Sequence, residues 1–234
     1  MAEDLDHVSR YARELGFAVR PRTILVEGTN DVALFERASR YEKTATGIDL
    51  LGADLAIIAG GVGDLGGTRG VLRELMCMRG LARTYLLPDG RPKYRFVALF
   101  DNDKAGQMAV RSAGEFDSSI LEYKDMFRLQ PVMPRPVHLD PNSIKRAFEK
   151  ENVLYKGLKW EVEDLLPKEF IEAFVVEYPL SLIKSEVMDG RTHREFTING
   201  KSQLHHYIKQ NAIGADLLGV VEVLKCMRHY LGIK

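Results

Sequence analysis

Phe96-Val97-Ala98-Leu99-Phe100-Asp101-Asn102-Asp103 is a run of five apolar residues that stops abruptly at two carboxylates. Such a run reads as a strand buried on both faces, the kind found in parallel sheets. Upstream, Ile24-Leu25-Val26-Glu27-Gly28-Thr29-Asn30-Asp31 repeats the arrangement. In an open parallel sheet, ligands bind beyond the carboxyl ends of the strands. Glu27 and the Asp101/Asp103 pair are therefore expected on one rim. Carboxylates gathered there repel each other unless a proton or a cation compensates. Oxygen ligands with no His or Cys beside them point to Mg2+ or Mn2+ rather than zinc. This set suits phosphoryl-transfer chemistry.

Working outward, strand and helix alternate. A strand over residues 23–27 leads into a helix capped by Thr29 or Asn30 and running to about Arg40. Residues 41–53 read as irregular. A second strand over 55–59 enters the glycine-rich stretch Gly60-Gly61-Val62-Gly63-Asp64-Leu65-Gly66-Gly67, followed by a helix over 68–79. A turn-rich loop at 86–94 precedes the third strand at 95–100 and a helix over 104–113. Three such repeats predict a doubly wound, Rossmann-like parallel α/β sheet flanked by helices. Further strands are expected at 120–123 and 137–139.

An amphipathic helix over 3–15 precedes the sheet. The organisation predicted is therefore residues 1–21 as an N-terminal helix, 22–140 as the α/β domain and 141–234 as a mainly helical extension. In that extension Asn142 or Ser143 caps a helix to Glu151, and Pro167 opens one reaching Tyr178. Asp189-Gly190 and Asn199-Gly200 read as turns flanking a hairpin strand at 194–198. Helices over 202–211 and 216–230 close the chain.

The 234 residues, 45% of them hydrophobic, suffice for a large buried core. The acidic start lacks the apolar run of a secretory leader, and no stretch approaches a membrane span. The expectation is a cytoplasmic protein. Cys77 and Cys226 offer neither a metal-ligand spacing nor a disulfide framework. With 33 basic and 33 acidic residues, no chain-wide attraction to nucleic acid exists. Between Arg69 and Arg95, however, seven basic residues face only Glu74 and Asp89. Such a stretch suits a phosphate backbone, though a solvated helix face followed by a polar loop reads equally well.

An apolar-Glu-Gly strand end, followed by Phe100-Asp101-Asn102-Asp103-Lys104-Ala105-Gly106, resembles the Toprim domain of bacterial primases, topoisomerases, recombination mediators and OLD (overcoming-lysogenization-defect) nucleases. The resemblance implies a Toprim-type sheet in which Glu27 acts as general acid/base or metal ligand while Asp101 and Asp103 hold Mg2+. The OLD nucleases add an acid four positions after the glutamate, here Asp31. They also add a third acidic motif, which Trp160-Glu161-Val162-Glu163-Asp164 resembles. That assigns metal ligation to Glu161 and Glu163, with Asp164 their neighbour, and makes room for two ions. The function implied is a stand-alone, metal-dependent endonuclease of DNA or RNA, of the kind that often serves antiviral defence. The OLD nucleases carry an ATPase domain that is missing here, so a regulatory ATPase or other protein is the implied partner; a homo-oligomer is compatible. Arg69, Arg73 and Arg79 would grip backbone phosphates. Lys104 reads either as a further phosphate contact or as an ordinary exposed lysine, and Lys201, in a turn leading to a helix cap at Ser202, is within reach of a phosphate. Competing readings are a primase-like nucleotidyltransferase and a non-catalytic Toprim binding module.

Three other patterns carry less. Gly61-Val62-Gly63-Asp64-Leu65-Gly66 fits a dinucleotide-binding fingerprint but follows the second strand, not the first. Asn199-Gly200-Lys201-Ser202 imitates the end of a phosphate-binding loop, yet the leading glycine position holds Glu195. His205-His206 occupies adjacent helix positions, so one ring is expected inward and one outward.

Overall fold

A computed structural model describes residues 6–61 and 66–233 of the chain. Residues 1–5, including the start of the expected first helix, lie outside the described residues. So do residues 62–65, which hold most of the dinucleotide-like fingerprint.

Four parallel strands form the central sheet: β1 (Arg22–Val26), β2 (Leu55–Ala59), β3 (Arg95–Phe100) and β4 (Met126–Arg128), in the order β2-β1-β3-β4. The helices α1 (His7–Glu14), α2 (Thr29–Thr46), α3 (Gly67–Ala82) and α4 (Lys104–Phe116) surround it. The period-two alternation of a strand divides its side chains between two cores. Ile24, Val26, Ile57, Val97, Leu99 and Phe127 face one layer. Leu25, Ile58, Phe96, Ala98, Phe100 and Met126 face the other, against Val8, Val71, Leu75 and Ala109 of α1, α3 and α4. β1 and β3 are apolar over Ile24–Val26 and Phe96–Phe100 because both faces are covered there.

Residues beyond 140 continue the first layer. They comprise α5 (Pro141–Glu151), α6 (Lys168–Glu177), the hairpin β5 (Leu182–Met188) and β6 (Arg191–Phe196), α7 (Ile198–Asn211) and α8 (Leu218–Tyr230). Phe148, Phe174, Leu204, Val220 and Tyr230 share one apolar cluster with Ile24, Val97 and Phe127. The extension is helical as expected, and its core is continuous with that of the sheet. Among the described residues no helix is long and apolar enough to cross a membrane.

Several local expectations need correction. The strand expected at 120–123 is a turn: Tyr123 has φ +66° and the Asp125 carboxylate accepts the Leu121 N–H at 3.0 Å. The pairing strand, β4, begins three residues later. Residues 137–139 form no strand; here the chain is tied down by its carbonyls, with Tyr230 and His229 side chains bonding Pro134 O and Pro136 O. Helix α2 runs on to Thr46 and ends at Gly47, φ +81°. Asn199-Gly200 is not a turn between strands but the first turn of α7, where Thr197 Oγ1 accepts the Gly200 N–H. Asp189-Gly190 does close the hairpin, both residues having positive φ as a type I′ turn requires.

Candidate metal centre

β1 delivers Glu27 to the carboxyl rim, and Gly28 N–H donates to Asp31 Oδ2 at 2.9 Å, which fixes Asp31 in the first turn of α2. β3, the neighbour of β1, delivers Asp101, whose backbone N–H donates to Glu27 Oε1 at 3.3 Å. The first turn of α4 lies directly on this point. A Cβ added at Gly106 would fall 2.1 Å from Asp101 O. Gly106→Ala is therefore expected to cost at least about 1 kcal/mol through overpacking; a melting temperature equal to wild type would contradict this packing.

The third acidic segment arrives from outside the sheet. Asn102 N–H donates to Trp160 O at 2.8 Å, and Val162 N–H donates to Asp101 Oδ1 at 3.0 Å. These bonds clip residues 160–162 along the rim and bring Glu161 and Glu163 to Asp101. Ligand atoms of Asp101, Glu161 and Glu163 all lie within 4.8 Å of one another. Glu163 Oε2 is buried and has no hydrogen-bond partner among the described residues. A crevice of about 10 Å³ is lined by Glu27, Asp31, Asp101 and Val162 against Phe35 and Phe100. That is room for one water or one small ion.

Asp103 sits differently from its expected role. Its carboxylate caps α4, accepting the Gly106 N–H at 2.7 Å, and it acts on Glu27 through its charge. Asn102 turns away, to Arg128 and to Leu158 O. Asp164 is a brace rather than a member of the cluster. It accepts from Glu161 N–H, Arg194 N–H and His193 Nδ1, the last at 2.7 Å, and so locks the acidic segment onto β6. The His193 brace was invisible in sequence, because nothing local links residues 164 and 193.

Lys201, from the start of α7, places Nζ 2.7 Å from Glu161 Oε2 and 3.4 Å from Glu163 Oε1. It lies inside the acidic site as its counter-ion. Arg69, Arg73 and Lys104 are exposed near this rim, and Arg73 also pairs with Glu74 and reaches Gly60 O. Arg79 does not belong with them: it is held at the other end of α3 by Asp117 and Asp125. His205 is half-buried and His206 exposed, as adjacent positions dictate.

Burial pushes Glu27 up to about 7, helped by the charges of Asp103 and Asp31. Burial and the charge of Glu163 likewise push Asp31 up to about 7. Asp101 is raised well above the usual carboxylate range by burial and by Glu163, Glu27 and Asp31, and Glu161 is raised by burial against the pull of Lys201. For Lys201, burial works against the charge, but Glu163, Glu161 and Asp101 outweigh it and raise its pKa.

These shifts carry a sign for stability. Carboxyls with raised folded pKa values hold protons that the unfolded chain has released, so folding takes up protons between about pH 4 and 7. Their contribution is present below the unfolded values and is lost as the pH rises through about 7. His193, raised by Asp164, acts in the same direction, and His205, lowered by burial, opposes it. In EDTA, the melting temperature is expected to fall by roughly 5 °C between pH 5.5 and 8, about 2 kcal/mol. A flat or rising profile would contradict the crowding of these carboxyls.

Comparison with protein-family models, with curated proteins and with solved structures finds no match to this chain.

Proposed function

We propose that the chain is a metal-dependent nuclease of the Toprim type, hydrolysing phosphodiester bonds of DNA or RNA. One observation carries this reading: three separate acidic segments converge on Asp101 at the carboxyl rim of the sheet, with Lys201 as the nearest internal cation. The donor set fits a hard divalent cation. It is made of carboxylate oxygens, one of them buried without a partner.

Asp101, Glu161 and Glu163 would hold one ion, and Glu27 with Asp31 would hold a second beside them. Mg2+ or Mn2+ would supply charge neutralisation on the scissile phosphate and acidify an attacking water. As the alternative to ligation, Glu27 would serve as the general acid/base, accepting or returning a proton at its carboxylate. Lys201 Nζ offers positive charge where a phosphate would gain negative charge. Arg69, Arg73 and Lys104 lie where flanking phosphates would pass. A regulatory protein partner and a role in defence belong to the same proposal, by resemblance to the OLD nucleases.

The test is incubation of plasmid DNA, single-stranded DNA and total tRNA with the protein in Mg2+, Mn2+ or EDTA, beside Glu27→Ala. Cutting of at least one substrate is expected with metal, and none with EDTA or the variant. Cutting that persists in Glu27→Ala at full rate would refute the mechanism.

A further inference from the structure

At the opposite end of the sheet, Arg22, Arg79, Arg83, Arg91, Arg95 and Lys124 converge on a cavity of about 370 Å³. Its walls are apolar, formed by Ala82, Pro92, Tyr94 and Phe96, the last two rings stacked at 6.2 Å and 23°. The cavity lies at the start of β1 and β3, roughly 20 Å from the acidic rim at about 3.3 Å per strand residue.

Three of the six cations are matched within the protein. Arg79 pairs with Asp125, Arg83 with Asp117 and Arg91 with Asp89. Arg22, Arg95 and Lys124 have no carboxylate within 4 Å among the described residues. Arg22 and Arg95 are also direct register partners across β1 and β3. Like charges set opposite each other in a sheet destabilise it. Arg95 is partly buried as well, its guanidinium held by two carbonyls, Tyr230 O at 3.1 Å and Lys124 O at 3.2 Å. Burial lowers its pKa against the opposing pull of Asp125, and the nearby Arg22 adds to the lowering. Asp125 is the one carboxylate that lines the cavity, and it is engaged by Arg79, so six cations face a single acid and the surplus positive charge is set up for an anion from outside.

The apolar walls narrow the class of anion. Inorganic phosphate would satisfy the cations and leave the walls wet. A planar ring bearing a phosphate would use both, since bases stack on arginine planes and aromatic rings. The volume is at the small end of ligand pockets, enough for a mononucleotide. We propose that this cavity is a binding site for a nucleoside phosphate, separate from the acidic rim and independent of the nuclease reading.

The experiment is calorimetric titration of the full chain, in EDTA, with AMP, adenosine and inorganic phosphate. AMP is expected to bind at least tenfold more tightly than either fragment. Arg22→Glu/Lys124→Glu should weaken AMP at least tenfold with an unchanged circular dichroism spectrum, and Asp101→Asn should leave it unaltered. If the double variant does not fold, Lys124→Ala alone, at an exposed position, should weaken AMP severalfold. Absence of AMP binding at millimolar concentration, undiminished binding in these variants, or phosphate or adenosine binding as tightly as AMP would each overturn the proposal.

Discussion

Asp101→Asn is expected to reduce metal-dependent cleavage at least about a thousandfold, or about 4 kcal/mol at 1.36 kcal/mol per decade, without lowering the melting temperature in EDTA. Asp101 is the residue at which the three acidic segments meet, through the Glu27 contact at its N–H and the Val162 N–H at its Oδ1. The amide of asparagine keeps an oxygen for Val162, so the clip on the third segment survives. What goes is a negative charge that Glu163, Glu27 and Asp31 already disfavour. Removing it relieves repulsion in the metal-free protein while depriving the proposed ion position among Asp101, Glu161 and Glu163 of one of its ligands. Stability and activity should therefore separate. A variant that loses activity only in proportion to lost folding would make Asp101 a structural residue. One that keeps activity would end the metal-centre reading.

The parts of this molecule that were legible in sequence are those decided by short-range rules. β2 and β3 fall on the predicted residues because unbroken apolar runs have few alternatives once both faces are covered. The Asp189-Gly190 hairpin was readable from its turn chemistry. β4 was misplaced because three residues, Met126–Arg128, carry almost no pattern and pair only with β3. Asn199-Gly200 misled because the same dipeptide serves a hairpin or, after a capping Thr197, the opening of a helix packed on Ser181, from whose carbonyl a Cβ on Gly200 would stand 2.5 Å. In the site, each acidic strand end was visible locally. The meeting of Glu161 and Glu163 with Asp101 was suggested only by resemblance, since backbone bonds across some sixty residues create it. In the sequence, the basic stretch from Arg69 to Arg95 suited a phosphate backbone or a solvated helix face followed by a polar loop, with Arg69, Arg73 and Arg79 grouped as phosphate contacts. It is divided by the length of α3, which puts Arg69 and Arg73 at one rim and Arg79, Arg83 and Arg95 at the other.

Lys201 was the residue whose sequence context said least, and its replacement should be the most telling for stability. In Lys201→Met the stem that packs beside the acids is kept and the charge is lost. Glu161 and Glu163, with side chains 10% and 3% exposed, would then face Asp101 with no cation. Breaking a fully buried pair costs about 3–5 kcal/mol. The Lys201 side chain is 37% exposed, so solvent screens part of this and about 2–3 kcal/mol is expected. That corresponds to a fall of roughly 5–10 °C in melting temperature in EDTA. Mg2+ should then restore the variant more than it stabilises the wild type. An ion that binds only the folded state stabilises by mass action, and here it no longer competes with an ammonium for the same oxygens. The Mg2+ concentration giving half the thermal shift should accordingly be lower in the variant. If Lys201→Met melts like wild type in EDTA, the ammonium is not the counter-ion of this cluster. If Mg2+ shifts both proteins equally, the ion binds somewhere other than among Asp101, Glu161 and Glu163.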